Sequence, residues 1–509
     1  MKLAMILPCE TYAQAMYHWS KKLSGASSEG KEVLIKGLTP LASALRLIYR
    51  NRSSTPSDEG TRKELDQVLG VLHYSRLSFT RWMSEWMSED VGSDLDKSTR
   101  MEASLGALGI LVEFGSHCLP DLGLVWKRRF VRFLSVSTWS LALRLPHHKH
   151  LGLAKSDPQW TRLLRAYTTL ASLPVIPEAG RWMIEWHLQG LRSTGEAVRE
   201  GSSALLDVNL HLLLHLLVSL NEESLRSFRG PIYPEILRAL ASLSTRPLSS
   251  SGALVLVPQI AQRILTDRQF HPRMPDFTAV LGVVSGFQGH CPSSPPSLDP
   301  DQAHAIYLGL CRLLQDLLRR HREALLDMMP SVLGVLGPML HPLRSPHTTT
   351  STRQRSDLSL TIPFPLLSRS NLLISSTASE EEIGRGTERA QALSRLFEAM
   401  VSRGTAGKSE DISSSHHPSR SKGLEALGKA LGKHVVYLLA EYLSIAADRI
   451  AGFDLTVRAE LESGIFSLMD LVDEYQRERL LAAQTPVGKV ILKRLHESYL
   501  RDHKYKGKV

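Results

Sequence analysis

The sequence predicts an all-α protein whose helices form one extended array. Apolar residues recur at steps of three and four, whereas the strict alternation typical of strands is almost absent. Short segments rich in proline, glycine and serine separate the apolar stretches, and pairs of stretches recur at intervals of roughly 40 residues. Hydrophobic residues make up 43% and charged residues 22% of the 509 residues, which is typical of a folded chain. Together these features indicate an irregular α-solenoid of the HEAT or armadillo kind.

Predicted helices follow one another along the first part of the chain, which we assign as a helical-repeat region, residues 1–290. A helical pair at 302–326 and 329–340 continues the array over residues 301–343. The helices predicted within the first region span residues 11–23, 31–49, 62–87, 97–117, 122–143, 159–173, 178–200, 204–220, 234–243 and 254–266.

Two later segments, residues 344–386 and 403–423, differ sharply in composition from the array. They are rich in serine, threonine, proline and arginine, and such a composition buries too little apolar surface to offset the entropy of ordering. We therefore predict disordered insertions there, with a helix at 387–402 between them. Residues 424–509 are predicted to form a C-terminal helical domain.

That C-terminal domain has the most regular helical spacing in the chain. Asp454 or Thr456 is predicted to cap its second helix, after a turn at Gly452 and Phe453. Thr485 and Pro486 suit the N-cap and first position of the last helix, whose predicted apolar residues are Val487, Val490, Ile491, Leu495 and Tyr499. The first helix places these residues on one stripe: Leu424, Leu427, Leu431, Val435, Leu438, Tyr442 and Ile445.

The order of motifs in this region resembles the Urb2/Npa2-type nucleolar family of pre-ribosomal RNA processing proteins, over about residues 385–509. One position departs from the resemblance, because Ser463 precedes Gly464 where proline is expected. The motifs that carry the resemblance are the helices at 388–397, 434–442 and 457–470, the Leu-His-Glu-Ser-Tyr run at 495–499, and the closing Lys-Tyr-Lys-Gly-Lys at 504–508.

The resemblance implies a non-catalytic scaffold that acts in nucleolar assembly of the large ribosomal subunit. Its implied partners are a larger helical-repeat nucleolar protein, a DEAD-box RNA helicase and pre-ribosomal RNA, with no membrane association. A transport or trafficking adaptor built on the same kind of solenoid is the alternative, since a fold does not fix a function.

Positive charge is densest at the end of the chain. From Pro486 onward there are seven lysines and arginines against two carboxylates, within a chain of net charge +10. This region can contact RNA phosphates, with Tyr505 stacking on a base, or dock on an acidic protein, or pack Tyr499 and Tyr505 back on the domain. The candidate RNA- or partner-binding residues are Lys489, Lys493, Arg494, Arg501, Lys504, Tyr505, Lys506 and Lys508.

No pattern in the sequence indicates catalysis, a cofactor or a metal. His211 and His215 have the spacing of two zinc ligands on a helix, but the glutamate of HExxH and a third nearby ligand are missing, so core or boundary histidines are favoured. A hydrolase or metalloenzyme would require zinc at that pair. The four cysteines form no CxxC pair, and a reducing compartment suits them. The apolar run at 204–220 contains polar residues that favour a buried helix over a membrane span.

Overall fold

The computed structural model describes the chain in segments that together cover the C-terminal half most fully. Four predicted helices, at 11–23, 31–49, 62–87 and most of 97–117, lie outside the described residues. The described residues are 105, 108, 109, 112, 124–145, 158–173, 176–193, 202–220, 225–226, 229–245, 252–288, 300–346, 380–401, 419–448 and 451–504.

These residues are almost entirely helical, which confirms the all-α prediction. Short 3-10 helices precede α6 at Gly252–Val255 and flank α9 at Glu323–Met328 and Gly337–Leu343. A π-helical turn, Leu500–Lys504, follows the last helix. The α-helices are α1 Leu124–Arg144, α2 Pro158–Ala171, α3 Ala179–Ser193, α4 Ser202–Ser219, α5 Arg229–Ser244, α6 Leu256–Thr266, α7 Met274–Gln288, α8 Pro300–Arg320, α9 Met329–Leu336, α10 Glu380–Val401, α11 Ser419–Ala446, α12 Leu455–Met469, α13 Glu474–Ala483 and α14 Pro486–Tyr499.

The chain divides into two compact units, and the division passes through α3 and α4. The first comprises Met1–His187 and His211–Phe228, and the second comprises Leu188–Leu210 and Arg229–Val509. In the first unit a buried hydroxyl joins three helices: Trp139 Nε1 donates to Tyr167 Oη over 3.3 Å, and His187 Nε2 lies 2.7 Å from the same oxygen. Burial raises the pKa of Tyr167, so the hydroxyl stays protonated.

The second unit is a two-layer array in which alternate helices of the sequence stack side by side. One layer contains α5, α7, α9 and α11, and the other contains α6, α8, α10 and α12. Helices α13 and α14 pack on α11 at the end of the first layer. Because α5 to α8 place each new pair beside the pair before it, this part of the chain has the layout of a solenoid.

Contacts along the stacked helices show that neighbours within a layer run parallel. In one layer Gly282 lies against Ala241 and Gly286 against Ser244. In the other, Gly309 lies against Pro258, and Gln262 Nε2 donates to Asp316 Oδ2 over 2.5 Å. Residue numbers rise together in each pair. Equivalent ends of successive helices therefore meet at the same edge of the array.

Helices α10 and α12 approach each other unusually closely at Gly464. The Gly464 N–H lies 2.8 Å from the Ser394 hydroxyl oxygen, which accepts from it. A Cβ added to Gly464 would lie 2.7 Å from Ser394 Cα, so this contact requires glycine. The neighbouring Ser463, which stands where proline was expected, donates its hydroxyl to Glu398 Oε1 over 2.6 Å. Proline at that position would have no hydroxyl to make this bond.

Several helix boundaries differ from those predicted, and one helix was missed. The prediction had no helix over Met274–Gln288, where α7 lies. Helix α5 begins five residues before the predicted Pro234, which lies inside it. Helix α10 begins at Glu380 and α11 at Ser419, so each includes residues that were predicted to belong to a disordered insertion. The rest of those insertions, residues 347–379 and 403–418, lies outside the described residues.

Two short strands interrupt the helical array. Strand β1, Arg344–Pro346, pairs with β2, Ala451–Phe453, in an antiparallel register that sets Ser345 opposite Gly452. Beside the two strands, the guanidinium of the buried Arg344 side chain forms an ion pair with Asp448. The strand pair thus joins the end of the 3-10 helix that follows α9 to the segment before α12, where Gly452 and Phe453 form part of β2 and not the predicted turn.

Within the described residues one stretch, Ala324–Leu343, has the length and apolar composition that a membrane span needs. Half of that window is buried inside the fold. It is also divided between α9 and the two 3-10 helices around it, with Pro330, Pro338 and Pro342 along it. A core segment passes the same test of length and composition.

Candidate functional site

Helix α14 carries three of the eight predicted binding residues, and local chemistry fixes where it begins. Thr485 is its N-cap and its hydroxyl oxygen accepts from the Gly488 N–H over 3.1 Å, with Pro486 at the first helical position. Asp473 and Gln476 form a capping box at the start of α13, and Asp454 caps α12. The predicted Thr485-Pro486 start is confirmed, and Asp454 is the predicted cap that α12 uses.

The two sides of α14 differ in chemistry. Its buried side consists of Gly488, Leu492, Leu495 and Tyr499, at the spacing that a helix needs to face α11 and α13. On the opposite side Lys489, Lys493 and Arg494 are exposed. Val487 and Val490 lie on the same side with 41% and 51% of their surface exposed. The outer face of α14 therefore combines three cations and two apolar side chains with one exposed carboxylate, Glu497.

The end of α14 is anchored on α12 through one carboxylate. The Tyr499 hydroxyl donates to Asp470 Oδ1 over 2.6 Å, and His503 Nε2 lies 2.9 Å from Asp470 Oδ2. The Tyr499 ring also packs near Phe466, with 6.0 Å between centroids. Burial and the bond to Asp470 raise the pKa of Tyr499 to about 12. Tyr499 therefore packs back on the domain, as one of the predicted alternatives stated.

A second contact holds α14 against α13. The Arg477 Nη1 lies 2.8 Å from His496 Nε2. Burial lowers the pKa of His496, and the charges of Arg477 and Lys504 lower it further. A neutral imidazole accepts the hydrogen bond that Arg477 donates, so this pair holds α14 against α13 without a second positive charge on His496. Neither His496 nor His503 was singled out from the sequence.

The structure brings only part of the predicted set together. Lys489, Lys493 and Arg494 share the outer face of α14, and Lys504 is exposed in the π-helical turn. Arg501 is exposed, but it pairs with Asp502 over 3.1 Å, which neutralises much of its charge. Tyr505, Lys506 and Lys508 lie outside the described residues. The sequence predicts Val487 and Val490 among the apolar residues of the last helix, with Leu495 and Tyr499, but the structure leaves both valines exposed beside Lys489 and Lys493.

The histidine pair considered for zinc makes other contacts. His215 Nε2 lies 2.7 Å from Thr168 Oγ1, and burial lowers the pKa of His215. The His211 ring meets the Trp160 ring edge to face at 5.8 Å between centroids. Among the residues that the structure describes, no group of three histidine, cysteine, aspartate or glutamate side chains could hold a metal ion.

Replacing the buried Leu495 with aspartate should destabilise the C-terminal helices. The side chain is 2% exposed, and burying a leucine contributes about 1.5–3 kcal/mol, while an unpaired buried carboxylate adds a further cost. Val490→Asp, on the exposed side of the same helix, is the matched control. We expect a lower midpoint of thermal unfolding for Leu495→Asp alone. Equal midpoints for the two variants would contradict the burial of this helix face.

Comparison with known proteins adds a family assignment to this geometry. The sequence profile of the Urb2/Npa2 family matches residues 255–508, from the start of α6 to the end of the chain. The match extends well before the region at 385–509 in which the resemblance was recognised. No curated protein matches the chain. A crystal structure of importin beta in an ammonium sulfate condition aligns with 97% of this chain and with 67% of the importin chain, at 11% sequence identity. Its TM-score of 0.21 is too low to support an argument.

Proposed function

Because residues 255–508 of this chain belong to the Urb2/Npa2 family, whose role is ribosome biogenesis, we propose that the protein is a non-catalytic scaffold for large-subunit precursors in the nucleolus. The scaffold binds other assembly factors and pre-ribosomal RNA. Its proposed partners are a larger helical-repeat nucleolar protein and a DEAD-box RNA helicase. The outer face of α14 is the observation on which this mode of action depends.

The outer face of α14 suits an acidic segment of a protein partner. Lys489, Lys493 and Arg494 can pair with carboxylates, while Val487 and Val490 offer apolar contact at the spacing of one helix face. Interfaces between proteins need such apolar contact in addition to charge. Complementary charge speeds the encounter and selects the partner, and the buried apolar contact holds it.

Reversing charge on this face should weaken the association without unfolding the protein. In Lys489→Glu/Lys493→Glu/Arg494→Glu all three altered side chains are exposed, so we expect unchanged unfolding but about tenfold less co-purified assembly factor. Arg162→Glu/Arg165→Glu/Arg181→Glu, at exposed positions of α2 and α3, changes the net charge equally and serves as the control. Equal recovery of partners by the two variants would refute the role of α14.

The wider proposal is tested in cells with the tagged full chain. RNA crosslinked to the protein is sequenced, and the co-purified proteins are identified by mass spectrometry from the same preparation. Large-subunit precursor RNA together with nucleolar assembly factors is the expected result. Cargo or trafficking components in place of both, with the tagged protein excluded from the nucleus, would overturn the scaffold proposal in favour of an adaptor.

A further inference from the structure

Two turns at one edge of the second unit contain an excess of positive charge. Residues 267–273 follow α6, and residues 319–322 close α8. Together they contain five arginines and two histidines but only one carboxylate, Asp267. Arg268, Arg273, Arg319 and Arg320 are exposed, and we name these four residues the arginine edge.

Parallel stacking of α6 and α8 brings the two turns together. Arg320 Nη1 donates to the carbonyl oxygen of Thr266 over 3.1 Å, which ties the end of α8 to the end of α6. The His321 ring lies 5.4 Å from the ring of Phe277 on α7. Burial lowers the pKa of His321, and the neighbouring Arg320 and His271 lower it further. The two turns that carry the arginine edge therefore lie side by side.

The four guanidinium groups of the arginine edge lack acidic partners. In the part of the chain that the structure describes, no carboxylate lies within ion-pair distance of Arg268, Arg273, Arg319 or Arg320. Several exposed arginines elsewhere in the described part of the chain, among them Arg132, Arg395 and Arg479, also have no acidic partner, whereas four others pair with glutamate or aspartate. Those pairs are Arg181–Glu185, Arg192–Glu235, Arg385–Asp301 and Arg458–Glu462.

Two buried carboxylates beside the edge bind groups inside the fold. Asp267 accepts from Arg229 Nε over 2.7 Å, from the Tyr233 hydroxyl over 3.1 Å and from the Gln269 N–H over 3.0 Å. Asp276 accepts from the backbone N–H of Arg273 over 2.7 Å. Both carboxylates are buried. They hold the turn in place and leave its arginine side chains free to bind an external anion.

A cleft of about 570 Å³ lies beside the edge and shares Arg273 with it. Its walls include His271 and Phe270 from the turn, and Pro231 and Pro234 from α5. The N-terminal ends of α5 and α7 both meet the cleft, where helices carry partial positive charge. A chain of linked anions can follow the arginines and place one of its groups at the mouth of this cleft.

We propose that the arginine edge binds the phosphate backbone of RNA, as a contact separate from α14. Arginine presents several donors in a planar fork that matches phosphate oxygens. An acidic protein is a poorer fit, because Met274 is the one large apolar side chain exposed among the described residues from 229 to 346. The choice of RNA rests on the proposed function, whereas the anion-binding chemistry stands on these contacts.

The test uses the purified full chain and a fluorescein-labelled single-stranded RNA of mixed sequence. Fluorescence anisotropy is measured over a series of salt concentrations. In Arg268→Gln/Arg273→Gln/Arg319→Gln we expect about tenfold or weaker binding, and a slope of log affinity against log salt that is smaller by about 2. The matching lysine variant keeps the charge and should retain most of the binding.

The control, Arg181→Gln/Arg192→Gln/Arg458→Gln, loses the same charge from paired positions and should bind as the unaltered chain does. Equal losses in the two glutamine variants, or no loss in either, would overturn the proposal. Competition by poly-glutamate as effective as RNA at equal charge would also overturn it. If the edge variants bind RNA normally while precursor RNA is still crosslinked to the protein in cells, only the proposal about the arginine edge is refuted. If the edge variants lose RNA binding but no precursor RNA is associated with the protein in cells, only the scaffold proposal is refuted.

Discussion

Replacing Asp267 with alanine should lower the free energy of unfolding of the second unit by about 3–5 kcal/mol. Asp267 and Arg229 form an ion pair over 2.7 Å, with both side chains only 6% exposed. Without the carboxylate, a buried guanidinium would lose its counter-charge, and the Tyr233 hydroxyl and the Gln269 N–H would each lose an acceptor. Urea denaturation followed by circular dichroism measures the change.

An exposed ion pair provides the comparison for Asp267. Asp301 binds Arg385 over 2.8 Å with 61% of its side chain exposed, so Asp301→Ala should cost about 1 kcal/mol or less. Adding Arg229→Met to Asp267→Ala should recover part of the lost stability, because no charge is then buried alone. If the single variant is as stable as Asp301→Ala, the Arg229–Asp267 pair does not stabilise this part of the array.

Replacing Gly464 with alanine should separate α10 from α12, although alanine favours helices. The new Cβ would lie 2.7 Å from Ser394 Cα and 2.8 Å from the Ser394 carbonyl oxygen, and neither atom belongs to a flexible side chain. Overpacking of this kind typically costs about 1–3 kcal/mol, which exceeds the gain of about 1 kcal/mol in helix propensity. Faster amide hydrogen exchange in α10 and α12 is the expected observation.

Gly334→Ala makes the same glycine-to-alanine change at a position where we expect it to stabilise the protein. Gly334 lies inside α9, and a Cβ there would meet no atom within 4 Å. We expect this substitution to raise the free energy of unfolding by about 0.5–1 kcal/mol, because alanine reduces the conformational entropy of the unfolded chain and causes no clash in the folded one. If both alanine variants were stabilising, the close approach at Ser394 would not constrain the packing of these helices.

The parts of the fold that depend on neighbouring residues could be predicted from the sequence. Caps at Asp454 and Thr485 satisfy donors within three residues, so their chemistry is visible in a short stretch. The burial of Leu495 and Tyr499 follows from helical spacing in the same way. Local pattern also gave the all-α class, since the period of apolar residues is a property of single helices.

Helix α7 was missed for a physical reason. Most of its residues are buried, so it lacks the polar face that marks an amphipathic helix. Within it, Gly286 lies against Ser244 of the neighbouring helix. A Cβ there would come within 2.8 Å of Ser244 backbone, and this need for space is visible only once the helices are paired.

The candidate binding surfaces differ in the same respect. Lys489, Lys493 and Arg494 belong to one helix, and their common face follows from their spacing. Arg268 and Arg320 belong to different turns that approach each other only because α6 and α8 run parallel. Charge that is dispersed in the sequence can therefore form a surface that no count along the chain would indicate.

The pairing of β1 with β2 places Pro346 beside Ala451, although the two residues are far apart in the sequence. Helices α10 and α11 lie between them, and each belongs to a different layer of the second unit. The part of the chain that contains both helices therefore starts and ends at one point of the fold. Because the strand pair joins the chain before α10 to the chain after α11, it limits how far the two layers can move relative to each other.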